Sequence, residues 1–320
     1  SFPDGYFCAC LTDPPYELDF MGAGWDRSGI AFDVSLWKEV GRVLKPGAHL
    51  MAFGGPRTYH RLASAIEDSG FEIRDSLLWI YGSGMPKGKR LPGGKATGLR
   101  PSWEPIVLAR KRFRGSVASC LDGYGTGALC VEACRFGAPE SKTRAPKSRG
   151  TSKPTFTTAS ASQLGGDDSK GRWPCNVLLS PEAAEEVGRQ SGWSRSPASV
   201  PQPSYGSPTG LVYGLRAGIG RSGQLAACPG DSGTAARYFP QFSYCKKANR
   251  RERGEGNDHP TVKPQKLLEW LLALIEADGI VLDPFLGSGS TALAAKSLSV
   301  PLIGIEQDPH YCNIALRRLK

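Results

Sequence analysis

The chain has 320 residues, of which 40% are hydrophobic, and a formal net charge of +10. This length and apolar content allow one large α/β domain with an insertion, or two modest domains, around a buried core. No run approaches the roughly 20 apolar residues of a membrane-spanning helix, so no membrane partner is expected.

The nine cysteines show no metal-site pattern. None forms a Cys-x-x-Cys pair, and no histidine stands near Cys130 or Cys134 to complete a zinc site. This spacing favours reduced thiols in a cytoplasmic protein. We therefore expect no metal site and a cytoplasmic location.

Residues 1–113 alternate strand and helix signals. In chain order the predicted elements are a strand at 6–11, a helix at 35–44, a strand at 49–53, a helix at 59–69 and strands at 76–81 and 105–109. This β-α-β rhythm predicts a mostly parallel sheet.

Residues 114–237 interrupt this rhythm. Glycine, proline, serine and threonine dominate, and only 177–179 and 181–190 have the pattern of a strand and a helix. In residues 238–320 the predicted elements are a strand at 242–245, a helix at 265–277, a strand at 279–283, a helix at 291–298, a strand at 302–306 and a helix at 308–319. The middle region is too long for an ordinary loop, so we interpret it as a functional insert in a single α/β sheet.

Two short motifs from opposite ends of the chain predict a single site. Asp13-Pro14-Pro15-Tyr16 follows the first predicted strand. The loop 283–291, with the sequence Asp-Pro-Phe-Leu-Gly-Ser-Gly-Ser-Thr, follows a strand near the C-terminus. Open α/β folds bind their ligands at the carboxyl ends of such strands, so we expect both motifs at one edge of the sheet.

The C-terminal motif also fits a dinucleotide site. Residues 287–292 have the pattern Gly-x-Gly-x-x-Ala after a strand, and the acid Glu306 follows. In dinucleotide-binding folds such an acid holds ribose hydroxyls. A nicotinamide-dependent oxidoreductase is therefore one hypothesis, although it leaves the Asp-Pro-Pro-Tyr tetrapeptide and the basic charge unexplained.

Three segments together resemble the cofactor half of the DNA amino-methyltransferases: His259-Pro260-Thr261-Val262-Lys263-Pro264, the loop 283–291, and Gly304-Ile305-Glu306-Gln307-Asp308. The order of catalytic motif, insert and cofactor motif resembles the beta class of that family, and further blocks, among them Trp103-Glu104-Pro105, resemble phage- and prophage-borne members. The resemblance implies a circularly permuted, Rossmann-like methyltransferase sheet with a target-recognition insert at 114–237. It also implies a bacterial or phage-encoded DNA methylase of the kind found in restriction-modification systems.

The resemblance implies S-adenosylmethionine as the cofactor. Lys263 is expected to face the carboxylate of its methionine end, and Glu306 its ribose hydroxyls. We expect Gly289→Val to weaken cofactor binding without unfolding the domain, since glycine lets the backbone approach a ligand closely. The residues implied to bind the cofactor are Thr261, Lys263, Asp283, Phe285, Gly287, Ser288, Gly289, Thr291 and Glu306.

The tetrapeptide has a chemical task in this interpretation. An exocyclic base amine is a poor nucleophile because its lone pair is delocalised into the ring. Asp13 is expected to accept one of its N–H groups and the Pro14 carbonyl the other, while two successive prolines, Pro14 and Pro15, fix the backbone. Tyr16 is expected to stack on a base that has left the duplex. Trp79 and Tyr81 are further candidates for walls of the base pocket.

Asp at the first position of the tetrapeptide is more typical of adenine-N6 enzymes, and Ser of cytosine-N4 enzymes. The resemblance therefore implies adenine-N6 methylation. Cytosine-N4 methylation, a DNA-bound relative without activity and an RNA methylase stay open as alternatives.

The basic residues are concentrated in runs at 87–114, 142–153 and 246–253. Clustered positive charge favours a polyanion, because neutralised phosphates drive nucleic-acid affinity. Double-stranded DNA is the expected partner, and beta-class relatives suggest a homodimer. The residues expected to contact DNA are Lys87, Lys89, Arg90, Lys95 and Arg112.

Overall fold

A computed structural model describes residues 2–18, 24–82, 84, 88–137, 171–196, 231–242, 256–275 and 279–320. The chain forms two compact units. The first consists of Ser1–Cys134, Pro174–Glu186 and Phe239–Lys320, and the second of Arg135–Trp173 and Val187–Tyr238. The basic runs at 142–153 and 246–253, Lys87 and most of the predicted strand at 242–245 lie outside the described residues.

The described strands are β1 (Phe7–Thr12), β2 (Leu44–Phe53), β3 (Phe71–Ile80), β4 (Trp103–Lys111), β5 (Val177–Leu179), β6 (Ser194–Ser196), β7 (Asp231–Gly233), β8 (Val281–Asp283) and β9 (Leu302–Gly304). In the first unit they form a seven-stranded sheet in the order β5-β3-β4-β2-β1-β8-β9. In the second unit β6 pairs with β7 in an antiparallel ribbon.

The sheet is parallel except at one strand. β1 pairs in parallel with both β2 and β8, and β8 with β9, whereas β4 runs antiparallel to β2 and β3. The prediction of an α/β fold with a mostly parallel sheet is confirmed. Two consequences follow for the site. β1 and β8 end side by side, with Cys10 opposite Leu282, and the reversed β4 begins at that same edge.

The described helices are α1 (Val34–Val43), α2 (Tyr59–Asp68), α3 (Val117–Tyr124), α4 (Pro181–Ser191), α5 (Gln265–Ile275), α6 (Ser290–Ser297) and α7 (Pro309–Leu319). Two of them begin at an aspartate cap. Asp33 accepts the backbone N–H of Ser35, and Asp308 accepts that of His310, both at 2.8 Å. Such caps satisfy amides that have no partner inside a helix.

Apolar side chains cover both faces of the sheet. All six residues of β1 are buried, as expected for a central parallel strand packed on both sides. One core cluster joins β1, β3 and β4 to α5, whose apolar stripe is Leu267, Leu268, Leu271, Leu272, Leu274 and Ile275. The other joins Trp37 and Ile66, from α1 and α2, to the opposite face.

The first unit extends beyond residue 113, where the predicted catalytic region ends. Ser116 and Ser119 form a reciprocal capping box that starts α3, an element that the sequence did not predict. Behind this helix, the Thr126 hydroxyl donates a hydrogen bond of 2.5 Å to the carbonyl of Pro46 on β2. The residues from 114 to 134 therefore belong with the sheet, and the assignment of 114–237 to target recognition stays a prediction.

None of the helices in the described ranges combines the length and apolar character that a membrane crossing requires. Among these same residues, no group of three or more His, Cys, Asp or Glu side chains is placed to hold a metal ion.

Candidate active site

A cavity of about 770 Å³ opens at the edge where β1 and β8 end and β4 begins. It is lined by residues of four predicted motifs, namely Asp13–Tyr16, His259–Lys263, Pro284–Thr291 and Ile305–Asp308. Trp79 and Tyr81 of the predicted base pocket also line it. The structure thus brings together motifs more than 200 positions apart in the chain. Of the implied cofactor residues, Asp283 and Gly289 are not among the lining residues.

Asp283 joins the ends of the two central strands. Its Oδ1 accepts a hydrogen bond of 2.7 Å from the hydroxyl of Thr12 on β1 and another of 3.1 Å from the amide of Phe285. Burial of this carboxyl raises its pKa to about 6, although hydrogen bonds from Thr12, Thr291 and Phe285 favour the ionised form. Asp283 therefore holds the glycine loop against the strand that carries the tetrapeptide.

The two carboxylate oxygens of Asp13 have different hydrogen-bonding surroundings. Oδ2 lies 2.5 Å from Nζ of Lys263. Oδ1 is buried and has no hydrogen-bond partner among the described residues. Buried polar atoms without a partner are rare in folded proteins, and this one lies on a side chain that lines the cavity. Asp13 therefore has a hydrogen-bond acceptor at the cavity that no described residue uses.

Lys263 lies between two acids and two aromatic rings. Its side chain is only 8% exposed, and Nζ is 3.7 Å from Oε2 of Glu104 as well as 2.5 Å from Asp13. The ammonium lies 5.2 Å from the ring centroid of Tyr16 and 5.0 Å from that of Phe53, within the range of cation–π attraction. The structure thus pairs Lys263 with Asp13, whereas its contact with a cofactor carboxylate stays a prediction.

Tyr16 is held at both its hydroxyl and its backbone. The hydroxyl donates a 3.0 Å hydrogen bond to Oε2 of Glu104, and the carbonyl accepts one of 2.7 Å from Thr58. Burial, followed by the charges of Asp13 and Glu104, raises the pKa of Tyr16 well above its usual value. The hydroxyl therefore stays protonated and donates, and the ring forms a fixed wall of the cavity.

Glu104 is a site residue that reasoning from single motifs missed. It lies near the start of β4 and reaches the cavity because β4 runs against its neighbours. A signal was present, since Trp103-Glu104-Pro105 was one of the blocks of the resemblance. The direction of the strand, which decides the edge at which Glu104 lies, was not in the pattern.

Glu306 organises the glycine loop from the end of β9. Its Oε2 accepts the amide of Gly287 and its Oε1 the amide of Asp308, both at 2.8 Å. A carboxylate offers about four lone-pair positions, so each oxygen keeps capacity for a further donor. Glu306 can therefore hold a ligand hydroxyl while it anchors the loop.

A second cluster missed from the sequence ties the segment before Lys263 to the glycine loop. The side chain of Asn257 donates to the hydroxyl of Ser288 at 3.2 Å and accepts the amide of His259 at 3.0 Å. The His259 ring packs edge-on against Tyr311 with centroids 4.6 Å apart. Burial lowers the pKa of His259, which favours the neutral imidazole at this wall of the cavity.

The two glycines of the loop face different neighbours. A Cβ on Gly287 would lie 2.9 Å from Nε2 of His259, whereas one on Gly289 would lie 2.9 Å from Cβ of Ala315 on α7. Both glycines have a positive φ, +54° at Gly287 and +82° at Gly289, a conformation that residues other than glycine rarely adopt. Gly289 thus serves the packing of α7, a different role from the close ligand approach expected from the sequence.

We therefore expect Gly289→Val to destabilise the sheet unit, by about 2 kcal/mol or more, because it adds overpacking to backbone strain. Thermal unfolding of the variant, compared with Gly287→Ala, measures this. Gly287→Ala also strains the backbone, but its Cβ meets only the His259 side chain at the cavity wall, so it should lower the melting temperature less than Gly289→Val and should weaken ligand affinity. Equal melting temperatures for Gly289→Val and the parent chain would contradict this assignment.

The predicted DNA contacts separate into two places. Lys89, Arg90 and Lys95 are exposed on a turn at 88–97, closed by a hydrogen bond of 3.0 Å between the amide of Thr97 and the carbonyl of Lys89. This turn connects Gly84 to Pro101, and both of these residues line the cavity. Arg112 follows the other end of β4, about 25 Å from Glu104 at the rise of an extended strand. The run at 87–114 is therefore not one continuous surface.

Fold and site together define an α/β protein whose cavity joins an Asp-Pro-Pro-Tyr tetrapeptide to a glycine-rich loop on the neighbouring parallel strand. A profile of the N6/N4 methyltransferase family, described as DNA methylase, matches residues 8–317. The chain therefore belongs to this DNA methylase family. The oxidoreductase hypothesis is not favoured by this match.

Segments of the chain are similar to two Type II methyltransferases. The M2.DpnII enzyme of Streptococcus pneumoniae is 44% identical over 63 residues, which cover 19% of this chain and 24% of that protein. The M.ScaI enzyme of Streptomyces caespitosus is 35% identical over 102 residues, covering 31% and 33%. The chain thus matches between about a quarter and a third of the length of these curated relatives.

The chain is also similar to solved structures over most of its length, at lower sequence identity. M1.HpyAVI has 16% identity and a TM-score of 0.46, over 98% of this chain and 88% of that one. PvuII DNA methyltransferase, which is cytosine-N4-specific, has 14% identity and a TM-score of 0.48, over 100% and 82%. A putative DNA modification methylase of Thermus thermophilus, complexed with S-adenosyl-L-methionine, has 16% identity and a TM-score of 0.45, over 99% and 87%. The family assignment rests on the match over residues 8–317.

Proposed function

We propose that this chain transfers a methyl group from S-adenosylmethionine to the exocyclic N6 nitrogen of an adenine turned out of double-stranded DNA. The observation that carries this proposal is the buried, unpartnered Oδ1 of Asp13. It lies on the tetrapeptide, in the same cavity as the glycine loop and Glu306. This oxygen lacks a hydrogen-bond donor, and the N–H group of a base would supply one.

The residues present fit the cofactor. The cavity has the size of sites that bury small ligands, and its donor set suits a molecule with hydroxyls and charged ends. When bound, S-adenosylmethionine supplies an electrophilic methyl group on a sulfonium. The residues that we assign to hold it directly are Thr261, Phe285, Gly287, Ser288, Thr291 and Glu306, with Lys263 toward its methionine end and Asp283 and Gly289 shaping the loop.

Asp13 and Pro14 would activate the amine. Two acceptors on its two N–H groups draw the nitrogen toward tetrahedral geometry and release its lone pair from the ring. Lys263 holds the other oxygen of Asp13, and the two prolines hold the backbone, so the acceptors are positioned before the base arrives. Such preorganisation costs no rearrangement during the reaction.

The aromatic residues of the cavity would receive the base. Tyr16 is fixed by Glu104 and Thr58, and the rings of Trp79 and Tyr81 pack with centroids 5.4 Å apart. Stacking on aromatic faces compensates a base for the neighbours it loses on leaving the duplex. This arrangement supports action on a base rather than on a small metabolite.

Aspartate at position 13 supports adenine-N6 over cytosine-N4 methylation. The chain order supports a circularly permuted, beta-class arrangement, since the strand that carries the tetrapeptide precedes that of the glycine loop in sequence yet lies beside it in the sheet. We keep the insert at 114–237 as the proposed target-recognition region, although its residues 114–134 and 174–186 belong to the unit that contains the sheet. Cytoplasmic location, phage or bacterial origin and a homodimer stay predictions.

Incubation of the purified chain with S-adenosylmethionine and plasmid DNA tests the proposal. Mass spectrometry of the digested nucleosides should show N6-methyldeoxyadenosine, and sequencing that maps modified bases should place it in one short context. N4-methyldeoxycytidine in its place would select the alternative base. Methylation of RNA alone, or of neither nucleic acid, would overturn the proposal.

The exposed turn at 88–97 should provide phosphate contacts. Replacing Lys89, Arg90 and Lys95 together with alanine should make the slope of log affinity against log salt shallower by up to about three, near one per lost contact. Binding to all sequences should weaken alike, because phosphate contacts carry no sequence information. Fluorescence anisotropy with DNA duplexes at several salt concentrations measures the slope.

A matched control removes positive charge at the other edge of the sheet. Arg112 and Arg114 are also exposed, and the double alanine variant should keep the salt slope of the parent chain. If the triple variant keeps its slope but changes its preferred target sequence, the turn contacts bases and the recognition region begins before residue 114.

A further inference from the structure

The partly buried cluster of Asp13, Lys263 and Glu104 has a net charge that bears on the proposed reaction. Two carboxylates and one ammonium sum to −1 when all three are ionised. We infer that Glu104 is a positioning residue that sets this charge and makes the cavity prefer a cationic sulfonium cofactor over its neutral thioether product. The inference rests on the proposed methyl transfer.

The geometry gives the two acids different tasks. Asp13 is the closer partner of Lys263, at 2.5 Å, and so neutralises most of the ammonium charge. Glu104 lies 3.7 Å from the same ammonium and accepts the hydroxyl of Tyr16 at 3.0 Å. Its side chain is 16% exposed, so water screens it little. Glu104 thus contributes the uncompensated negative charge of the cluster.

In the proposed reaction a positive charge moves from the cofactor to the base within this cavity. In the proposed methyl transfer the amine nitrogen would form a bond to the methyl carbon as the carbon–sulfur bond breaks, so the positive charge would pass from the cofactor to the nitrogen. The nitrogen then releases one proton to solvent, and sulfur is left neutral. A fixed charge of −1 stabilises the positive charge before and during transfer and no longer favours the cofactor afterwards.

Glu104 also contacts the two residues that would position the base, namely Tyr16 and, through Lys263, Asp13. Through Tyr16 it fixes the ring that would stack on the base, and through Lys263 it shares the ammonium with Asp13. Without Glu104, the ammonium of Lys263 would interact more strongly with Asp13 and weaken Asp13 as an acceptor. The loss should therefore affect kcat more than the KM for DNA.

Isothermal titration with S-adenosylmethionine and S-adenosylhomocysteine tests the charge directly. Glu104→Gln keeps the size of the side chain and an acceptor for Tyr16 but removes the charge. The ratio of the two affinities should shift by about tenfold against S-adenosylmethionine. Glu104→Asp keeps the charge and should retain most of the ratio. Glu72→Gln is the control, since Glu72 pairs with Arg110 on neighbouring strands, and it should leave the ratio unchanged.

The outcomes separate this inference from the proposed function. An unchanged affinity ratio in Glu104→Gln, or an equal loss of both affinities, overturns the inference even if the parent chain methylates DNA. A shifted ratio, with retention in Glu104→Asp and a kcat about tenfold lower at similar KM, supports it. A shifted ratio in a chain that methylates no nucleic acid would sustain the charge preference and defeat the proposed methyl transfer.

Discussion

Asp13→Ala is expected to lower the rate of methyl transfer by on the order of 10²–10³, because it removes a positioned acceptor from the reacting amine. Binding of S-adenosylmethionine should weaken far less, by about tenfold at most, since Asp13 acts on the base and contributes only its charge to the cluster with Lys263 and Glu104. Single-turnover methylation of a duplex with the mapped target measures the rate, and isothermal titration measures the affinity.

Asp258→Asn is the matched control for this variant. Asp258 is an exposed carboxylate that pairs with His310 at 2.9 Å and is not among the cavity-lining residues. Its variant should methylate at nearly the parent rate. Retention of more than a tenth of the parent rate by Asp13→Ala would remove Asp13 from the catalytic role.

Lys263→Met is expected to lower the free energy of unfolding by about 3 kcal/mol near pH 8, because it leaves two carboxylates in a partly buried site without the ammonium that both of them contact. Asp13 and Glu104 are 20% and 16% exposed, so solvent relieves this repulsion only in part. Urea denaturation of the parent chain and the variant measures the loss.

A double-mutant cycle tests the cause of this loss. Lys263→Met combined with Glu104→Gln removes the ammonium and one facing carboxylate, so its destabilisation should be smaller than the sum of the single losses. Additive losses would show that Lys263 stabilises the unit by packing on Tyr16 and Phe53 rather than by its charge.

The parts of the site that could be predicted are those that depend on local sequence patterns. Contacts between segments distant in sequence could not be predicted. The two strand ends were predictable, because β1 is a continuous apolar run and parallel strands end at a common edge. The hydrogen bond between Thr12 and Asp283 follows from that arrangement, yet it depends on which strands are neighbours. Neighbour order is a property of the whole sheet, and no local pattern encodes it.

The positions of the charged residues in the folded protein could likewise not be predicted from the sequence. The basic residues near position 100 form one run in the sequence, but β4 carries Arg112 to the opposite edge from the turn that holds Lys89. The same strand brings Glu104 to the cavity only because it runs antiparallel. Charge patterns predict an anionic partner, and strand direction decides which charges can meet it.

The sequence by itself determined the class of fold, the two motifs and the chemistry they imply, since strand periodicity and motif residues are local. Only the tertiary structure decided that Lys263 pairs with Asp13, that Glu104 completes the cluster, and that Gly289 serves helix packing. These contacts join segments up to 250 positions apart. Their partners are selected by strand order, strand direction and the close packing of helices on the sheet, which exist only once the whole chain has folded.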